Sequence, residues 1–184
     1  MKRTLILLAA AIIAMGAGAR QPQRGYRGFM EWSNDLGSLK DGFGRMSTYY
    51  VGGSTSHGYQ IDSRFFVGAG LALEECGKID SYILPVFVQG RADFDFGGFT
   101  PFGDLRLGYN LASGAGVYFS PSVGYRFNWG RKMGVNLGVG LTLQGCKTEL
   151  YEIDVDPDGY WQLNYVGSKH GCKAFFSFRV GIDF

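Results

Sequence analysis

The chain has 184 residues, of which 16% are aromatic and only 18% charged, with 30 glycines and a net charge of +2. That length suits one domain, the charged fraction lies below the roughly 25% of a typical soluble domain, and so much glycine and aromatic favours strands and turns. The small, scattered charge, with no Lys/Arg run beyond the amino terminus, excludes a nucleic-acid-binding surface.

Lys2 and Arg3 open the chain, an apolar stretch runs from Leu5 to Met15, and the small residues Ala17, Gly18 and Ala19 precede Arg20. These are the three regions of a secretory signal peptide and predict cleavage after Ala19, leaving one domain over 20–184. The apolar stretch is too short for a helical membrane span, and no Cys near the junction offers a lipid anchor. No later run of 18 apolar residues exists, so any membrane insertion must be by strands.

Alternation of side chains identifies the strands, because successive residues of a strand point to opposite faces. From Gly25 to Asn34, Tyr26, Gly28, Met30 and Trp32 oppose Arg27, Phe29, Glu31 and Ser33. A glycine-rich turn region is expected from Asp35 to Arg45, then a second strand from Tyr49 to Gln60 and a third from Phe65 to Glu74. After a loop from Glu75 to Ser81, a fourth strand turns Tyr82, Leu84, Val86, Val88 and Ala92 away from Pro85, Phe87, Gln89, Arg91 and Asp93. The fifth sets Leu105, Leu107, Tyr109 and Leu111 against Asp104, Arg106, Gly108 and Asn110; the sixth sets Phe119, Val123, Tyr125 and Phe127 against Tyr118, Ser120, Ser122, Gly124 and Arg126. The seventh opposes Val135, Leu137, Val139, Leu141 and Leu143 to Asn136, Gly138, Gly140, Thr142 and Gln144. A long loop is expected from Gly145 to Gly171. The last strand has one wholly apolar row, Ala174, Phe176, Phe178, Val180, Ile182 and Phe184, and a second of Phe175, Ser177, Arg179, Gly181 and Asp183.

Eight strands of about ten residues have the length that crosses a bilayer at a tilt. Short connections after strands two, four and six, and long ones after one and seven, match an even-numbered membrane barrel with short periplasmic turns, longer external loops and both termini periplasmic. The predicted fold is therefore an all-β, eight-stranded antiparallel up-and-down transmembrane β-barrel. A soluble lipocalin-like barrel would alternate too, with its apolar row lining a pocket and its polar row in water. Here the polar row is Gly, Ser, Asn, Gln and paired charges with almost no Lys, since Lys40, Lys78, Lys132, Lys147 and Lys169 fall in loops and turns and Lys173 at a strand's edge. Five basic residues, Arg27, Arg91, Arg106, Arg126 and Arg179, meet five acidic ones, Glu31, Glu74, Asp93, Asp104 and Asp183. Arginine forks paired with carboxylates suit a narrow closed interior, where charge must be paired and hydrogen-bonded. Tyr26, Trp32, Tyr59, Phe65, Tyr82, Tyr109, Phe119, Phe127 and Trp129 lie near strand ends, where interfacial girdles belong.

The segments Gly25 to Phe29, Ser56-His57-Gly58-Tyr59-Gln60, Phe65 to Gly70, Phe119 to Arg126 and Leu137 to Leu141 resemble the small outer-membrane β-barrel domain proteins of Gram-negative bacteria, particularly the Bacteroidetes type, related in architecture to OmpA and OmpX. The resemblance spans essentially all of the expected mature chain and implies location and fold more than chemistry. Phe184, with Ile182, Val180, Phe178 and Phe176 behind it, looks like the carboxy-terminal signal such proteins present to the barrel-assembly machinery.

Catalysis is not expected. His57 has Ser54, Thr55 and Ser56 beside it, but parity puts it on the face opposite Ser54 and Ser56, and a hydrolase needs hydroxyl, imidazole and carboxylate in line. Deacylase barrels of similar build carry a His-any-Ser motif, whereas His57 is followed by Gly58 and Tyr59; His170 lies in a loop beside Gly171. Asp154, Asp156, Asp158 and Gly159 open like a calcium loop, yet the twelfth position is Tyr165 instead of a bidentate Glu, and Pro157-Asp158-Gly159 reads as an ordinary turn. Tyr151, Tyr160, Trp161 and Tyr165 make the same loop, Gly145 to Gly171, a candidate contact for a partner or lipopolysaccharide. Cys76, Cys146 and Cys172 map to the external rim, where disulfides are permitted. Cys146 and Cys172 bracket the long loop with opposite parity, Cys76 and Cys146 share the inward parity, and one thiol is left over in either pairing; no zinc motif results. The expected role is a non-enzymatic barrel with a side-chain-filled lumen, no cofactor, and contacts to outer-membrane lipid and lipopolysaccharide. A small pore or transport barrel is the alternative, followed by a lipid-modifying enzyme.

Overall fold

The computed structural model describes residues 24–41, 44–77, 81–94, 96, 100–112, 115–129, 133–155 and 161–184, with the backbone alone at 38–41, 44–46, 129, 146–155, 161–166 and 168–170. The expected signal peptide and its cleavage site lie outside the described residues. Eight strands form: β1 (Gly25–Asp41), β2 (Gly44–Gln60), β3 (Phe65–Cys76), β4 (Tyr82–Ile83, then Pro85–Asp93), β5 (Thr100–Asn110), β6 (Gly116–Trp129), β7 (Met133–Val155) and β8 (Trp161–Asp183). Each pairs antiparallel with its sequence neighbour, and β1 pairs with β8 from Phe29↔Asp183 to Gly37↔Phe175. The sheet closes on itself as an up-and-down barrel, which removes the free edges that invite misassociation.

Closure follows from the period-two pattern. In β3, Phe65, Val67, Leu71 and Leu73 point outward while Phe66, Ala72 and Glu74 are buried. The same inversion holds around the barrel, so the outer wall is a belt of Val, Leu, Ile, Phe, Tyr and Trp. No helix among the described residues is long and apolar enough to cross a membrane; strands would have to do it.

Two expected loops prove to be strand. The segment Asp35 to Arg45 continues β1 and β2 in register to Asp41↔Gly44. Most of Gly145 to Gly171 likewise continues the β7/β8 ladder, out to Val155↔Trp161 with a register shift at Leu150/Tyr151. Glycines at 37, 44 and 145 read as turns in sequence, but a paired neighbour supplies backbone groups with partners and overrides that local preference; Gly42 and Gly159 lie outside the described residues. Among the described residues, only β8 pairs with β7 past Gln144, and only β7 pairs with β8 on the hairpin side of Phe175, so this hairpin projects as a two-stranded ribbon. We call this the hairpin end; the turns after β2, β4 and β6 lie at the short-turn end.

Local breaks are patched by side chains. Pro121 has no N–H to give β7, and pairing between β6 and β7 lapses from Phe119↔Leu143 to Ser122↔Gly140. Ser120 Oγ fills the gap by donating to the Leu141 carbonyl at 3.0 Å. At the interruption of β4, Leu84 N donates to Asn110 Oδ1 at 2.8 Å. The carboxy terminus is anchored by reciprocal Gly28–Phe184 backbone bonds of 2.9 and 3.0 Å. A Cβ on Gly28 would meet the Phe184 ring at 2.8 Å, so the glycine lets that ring lie against the wall.

Candidate functional site

The buried side chains of the lumen are arranged in three tiers. Nearest the short-turn end, Asp183 from β8 receives a two-pronged fork from Arg126 of β6, Nε to Oδ1 and Nη2 to Oδ2, both at 2.8 Å. Asn136 Nδ2 donates to the same carboxylate at 2.9 Å, and Arg27 Nε reaches it at 3.2 Å. Arg27 Nη1 then bridges to Asp93 Oδ2 at 2.6 Å, whose other oxygen takes Arg91 Nε at 2.9 Å. Asn128 accepts from Arg126 as well. Aromatic rings complete the cluster: Arg91 stacks 3.6 Å over Phe102 and, with Arg27, over Phe29. Guanidinium planes lie readily on aromatic faces while their edges bond carboxylates, which lysine cannot do. Gly134 makes the fork possible, since a Cβ there would collide with Asp183 and Arg126.

In the middle tier Arg106 pairs with Glu31 and, through Nε, with Asp104 at 3.2 Å. Arg179 lies 3.6 Å from Asp104 and donates to Ser120 and, at 3.4 Å, to Ser122. Gln89 donates to the second Asp104 oxygen, and Arg106 sits over Phe87. Two cations meet two anions here, and every one is under a tenth exposed. Charge taken from water is tolerated only when its lone pairs and protons are met, so this tier is stable as a unit and costly to break at one member.

The third tier, toward the hairpin end, holds acids that form no ion pair among the described residues. Glu74 accepts from Ser33 Oγ at 3.0 Å, and Asp35 is equally buried. Around them lie Tyr50, Cys76, Ile83 and Phe175, with Tyr50 and Phe175 in edge contact at 5.2 Å, and Ala72, Phe87 and Tyr118.

All ten charged residues read from the sequence point into the lumen: Arg27, Glu31, Glu74, Arg91, Asp93, Asp104, Arg106, Arg126, Arg179 and Asp183. Nine of them are joined in ion pairs, and Glu74 stands apart. Sequence reasoning misses an eleventh, Asp35, which opens the expected turn; continuing the alternation Glu31, Ser33, Asp35 two residues further finds it. Phe176, Phe178, Val180, Ile182 and Phe184, the row expected to form an assembly signal, all face outward.

His57 lies on the outer face, where Tyr26 Oη meets Nδ1 at 2.6 Å and Thr55 Oγ1 meets Nε2 at 3.1 Å. Both ring nitrogens are occupied by hydroxyls, and Ser56 is buried on the opposite face. Cys172 is exposed and pairs in register with Gly145, while Cys76 is buried, 3.2 Å from Thr48 Oγ1. The side chains of Cys146, His170, Asp154, Tyr151, Trp161 and Tyr165, and all of Asp156, Asp158 and Tyr160, lie outside the described residues. Among the described residues no three His, Cys, Asp or Glu side chains gather as a metal cluster.

No protein-family model and no curated protein sequence matches the chain. Among solved structures it is similar to Neisserial surface protein A, with a TM-score of 0.60 and 12% identity over 86% of this chain and 96% of that one. It is also similar to the outer membrane protein OprG from Pseudomonas aeruginosa, with a TM-score of 0.55 and 11% identity over 89% of this chain and 96% of that one. At such identities the likeness is one of fold alone, and the fold of this chain is an eight-stranded closed antiparallel barrel.

Proposed function

We propose that this protein is a non-enzymatic integral barrel of the outer membrane, whose plugged lumen makes it a rigid base for hairpins that meet the exterior. The observation that carries this reading is the inverted wall: apolar side chains face out on every strand, while arginines and carboxylates fill the inside. A water-soluble barrel would present the reverse, and a wide channel would leave its charges to water instead of stacking them on Phe29, Phe87 and Phe102. The likeness in fold to a Neisserial surface protein and to the outer membrane protein OprG supports the location.

In this reading residues 1–19 are the export signal, both termini are periplasmic, and the outward row ending at Phe184 is read by the barrel-assembly machinery. Lipid and lipopolysaccharide surround the belt, and the long β7/β8 hairpin, within the segment Gly145 to Gly171, is the part that reaches a partner. Affinity with the OmpA and OmpX type, or with Bacteroidetes barrels, belongs to the same proposal.

Electrophoresis of outer-membrane fractions with and without boiling tests the barrel and its location together. A closed ladder has no edge at which detergent can open it, so a heat-dependent shift in the membrane fraction is expected. A soluble periplasmic chain with no shift would overturn the reading in favour of a lipocalin-like binder. Steady single-channel currents from purified protein in a planar bilayer would replace the plug with a pore, and lipid A turnover by the purified protein would restore an enzymatic role.

A further inference from the structure

The hairpin-end tier differs from the two below it in carrying acid without base. Asp35 and Glu74 are 2% and 3% exposed, and neither forms an ion pair among the described residues. One oxygen of each, Asp35 Oδ1 and Glu74 Oε2, is buried with no hydrogen-bond partner among the described residues. The two carboxylates are near enough to act on one another electrostatically, and Arg179 and Arg106 act on Glu74 from the middle tier without forming an ion pair with it.

A separate observation points to what satisfies them. Ser177 is wholly buried, its Oγ is also without a partner among the described residues, and it stands directly across the β1/β8 ladder from Asp35 on the inward face. Directly opposed residues of one face hold their Cβ atoms about 5 Å apart. Asp35 and Ser177 thus share one rung of the inward face, and Glu74, in the adjoining row with Ser33, acts on Asp35 from β3; Tyr50, Ile83, Phe175 and Tyr118 lie around them. Arg106 and Arg179, the nearest guanidiniums, are committed to Glu31, Asp104 and the serines of the middle tier.

Buried carboxylates persist when they are paired or hold a cation. The unpartnered atoms are all oxygen, which selects a hard ion over zinc or copper, and two carboxylates match a double positive charge. We propose that Asp35, Glu74 and Ser177 form a lumenal site for one hard divalent cation, of the calcium or magnesium class. The ion would complete the charge pairing of the plug at the end where no arginine forms an ion pair with the acids among the described residues.

Titration calorimetry of calcium chloride into the full mature chain, folded in detergent micelles at neutral pH, tests the site. Saturable binding of about one ion per barrel is expected, weakened roughly tenfold or more by Asp35→Asn or by Glu74→Gln, since affinity follows ligand charge. The competing acids Asp154, Asp156 and Asp158 are controlled by changing all three to Asn, which is expected to leave that binding in place. Absence of saturable heat in the unaltered chain would mean that the pair holds protons alone and would overturn the site. Binding that survives Asp35→Asn with Glu74→Gln but vanishes in the triple variant would move the ion to the hairpin and overturn the lumenal site equally. Heat-dependent mobility of each variant reports closure of the barrel. Should Asp35→Asn fail to close, Ser177→Ala, which removes no charge, is read in its place and is expected to weaken binding; unchanged affinity in it would overturn the site. The measurement uses the folded barrel whatever its cellular location, so it fails independently of the membrane-fraction experiment.

Discussion

The two ends of the lumen solve the same problem differently. At the short-turn end three arginines, Arg27, Arg91 and Arg126, interlock with Asp93 and Asp183, and each carboxylate is held by more than one donor. At the hairpin end Asp35 and Glu74 share the space with Ser33, Ser177 and aromatic rings, with no guanidinium in ion-pair reach among the described residues. Counting charges along the polar rows gives near balance, five arginines against six carboxylates once Asp35 is included. Balance by count is thus not balance by place. Electrostatic energy at short range depends on who faces whom, so the same carboxylate is a stabilising anchor in one tier and a liability in the other.

The largest expected effect breaks the paired tier. Asp183→Ala strands Arg126 and part of Arg27 in the buried interior and is expected to lower unfolding free energy by about 3–5 kcal/mol, the cost of orphaning a buried charge. Reversible urea titration of the barrel in micelles, followed by tryptophan fluorescence, checks it; a loss below about 1 kcal/mol would place the pair among solvated ones instead. Next comes Gly134→Val, which pushes a branched side chain into the Arg126–Asp183 fork and is expected to cost about 1–3 kcal/mol by overpacking.

The acidic tier is expected to respond with the opposite sign. With divalent ions chelated, Glu74→Gln retains an acceptor for Ser33 but removes an unpaired charge, so stability should hold or rise by up to about 1 kcal/mol in the same titration. A loss as large as that of Asp183→Ala would erase the distinction between the tiers. The smallest effect lies outside the lumen, at the turn between β2 and β3. There Asp62 Oδ1 accepts from Arg64 N at 2.8 Å and Phe65 N at 2.7 Å. These backbone bonds, that to Phe65 foremost, hold the Asp62 carboxyl below its ordinary pKa. A depressed folded-state pKa contributes stability above the unfolded value and loses it as pH falls through the folded one. Asp62→Ala should accordingly flatten only the acid limb of the stability profile, and an unchanged limb would assign that limb to the lumen carboxylates.

Legibility in the sequence followed the range of the forces. Period-two alternation is local, so Arg91 and Asp93, Asp104 and Arg106, and Phe176 to Phe184 could be assigned to faces from their own strands. The glycine-rich stretches around Asp35 and Gly145 mislead, because turn propensity is weaker than a ladder of backbone bonds to a neighbouring strand. A turn at Asp35 hides that carboxylate, and with it the imbalance at the hairpin end.

What the sequence determined by itself is the barrel's two-faced wall, the number of its strands and the kinds of residue inside it, since each follows from spacing along the chain. Only closure decided which arginine meets which acid. Arg27 and Asp183 are 156 positions apart, and Arg106 and Glu31 are 75 apart, brought together by strand tilt and register across a lumen that no single strand encodes.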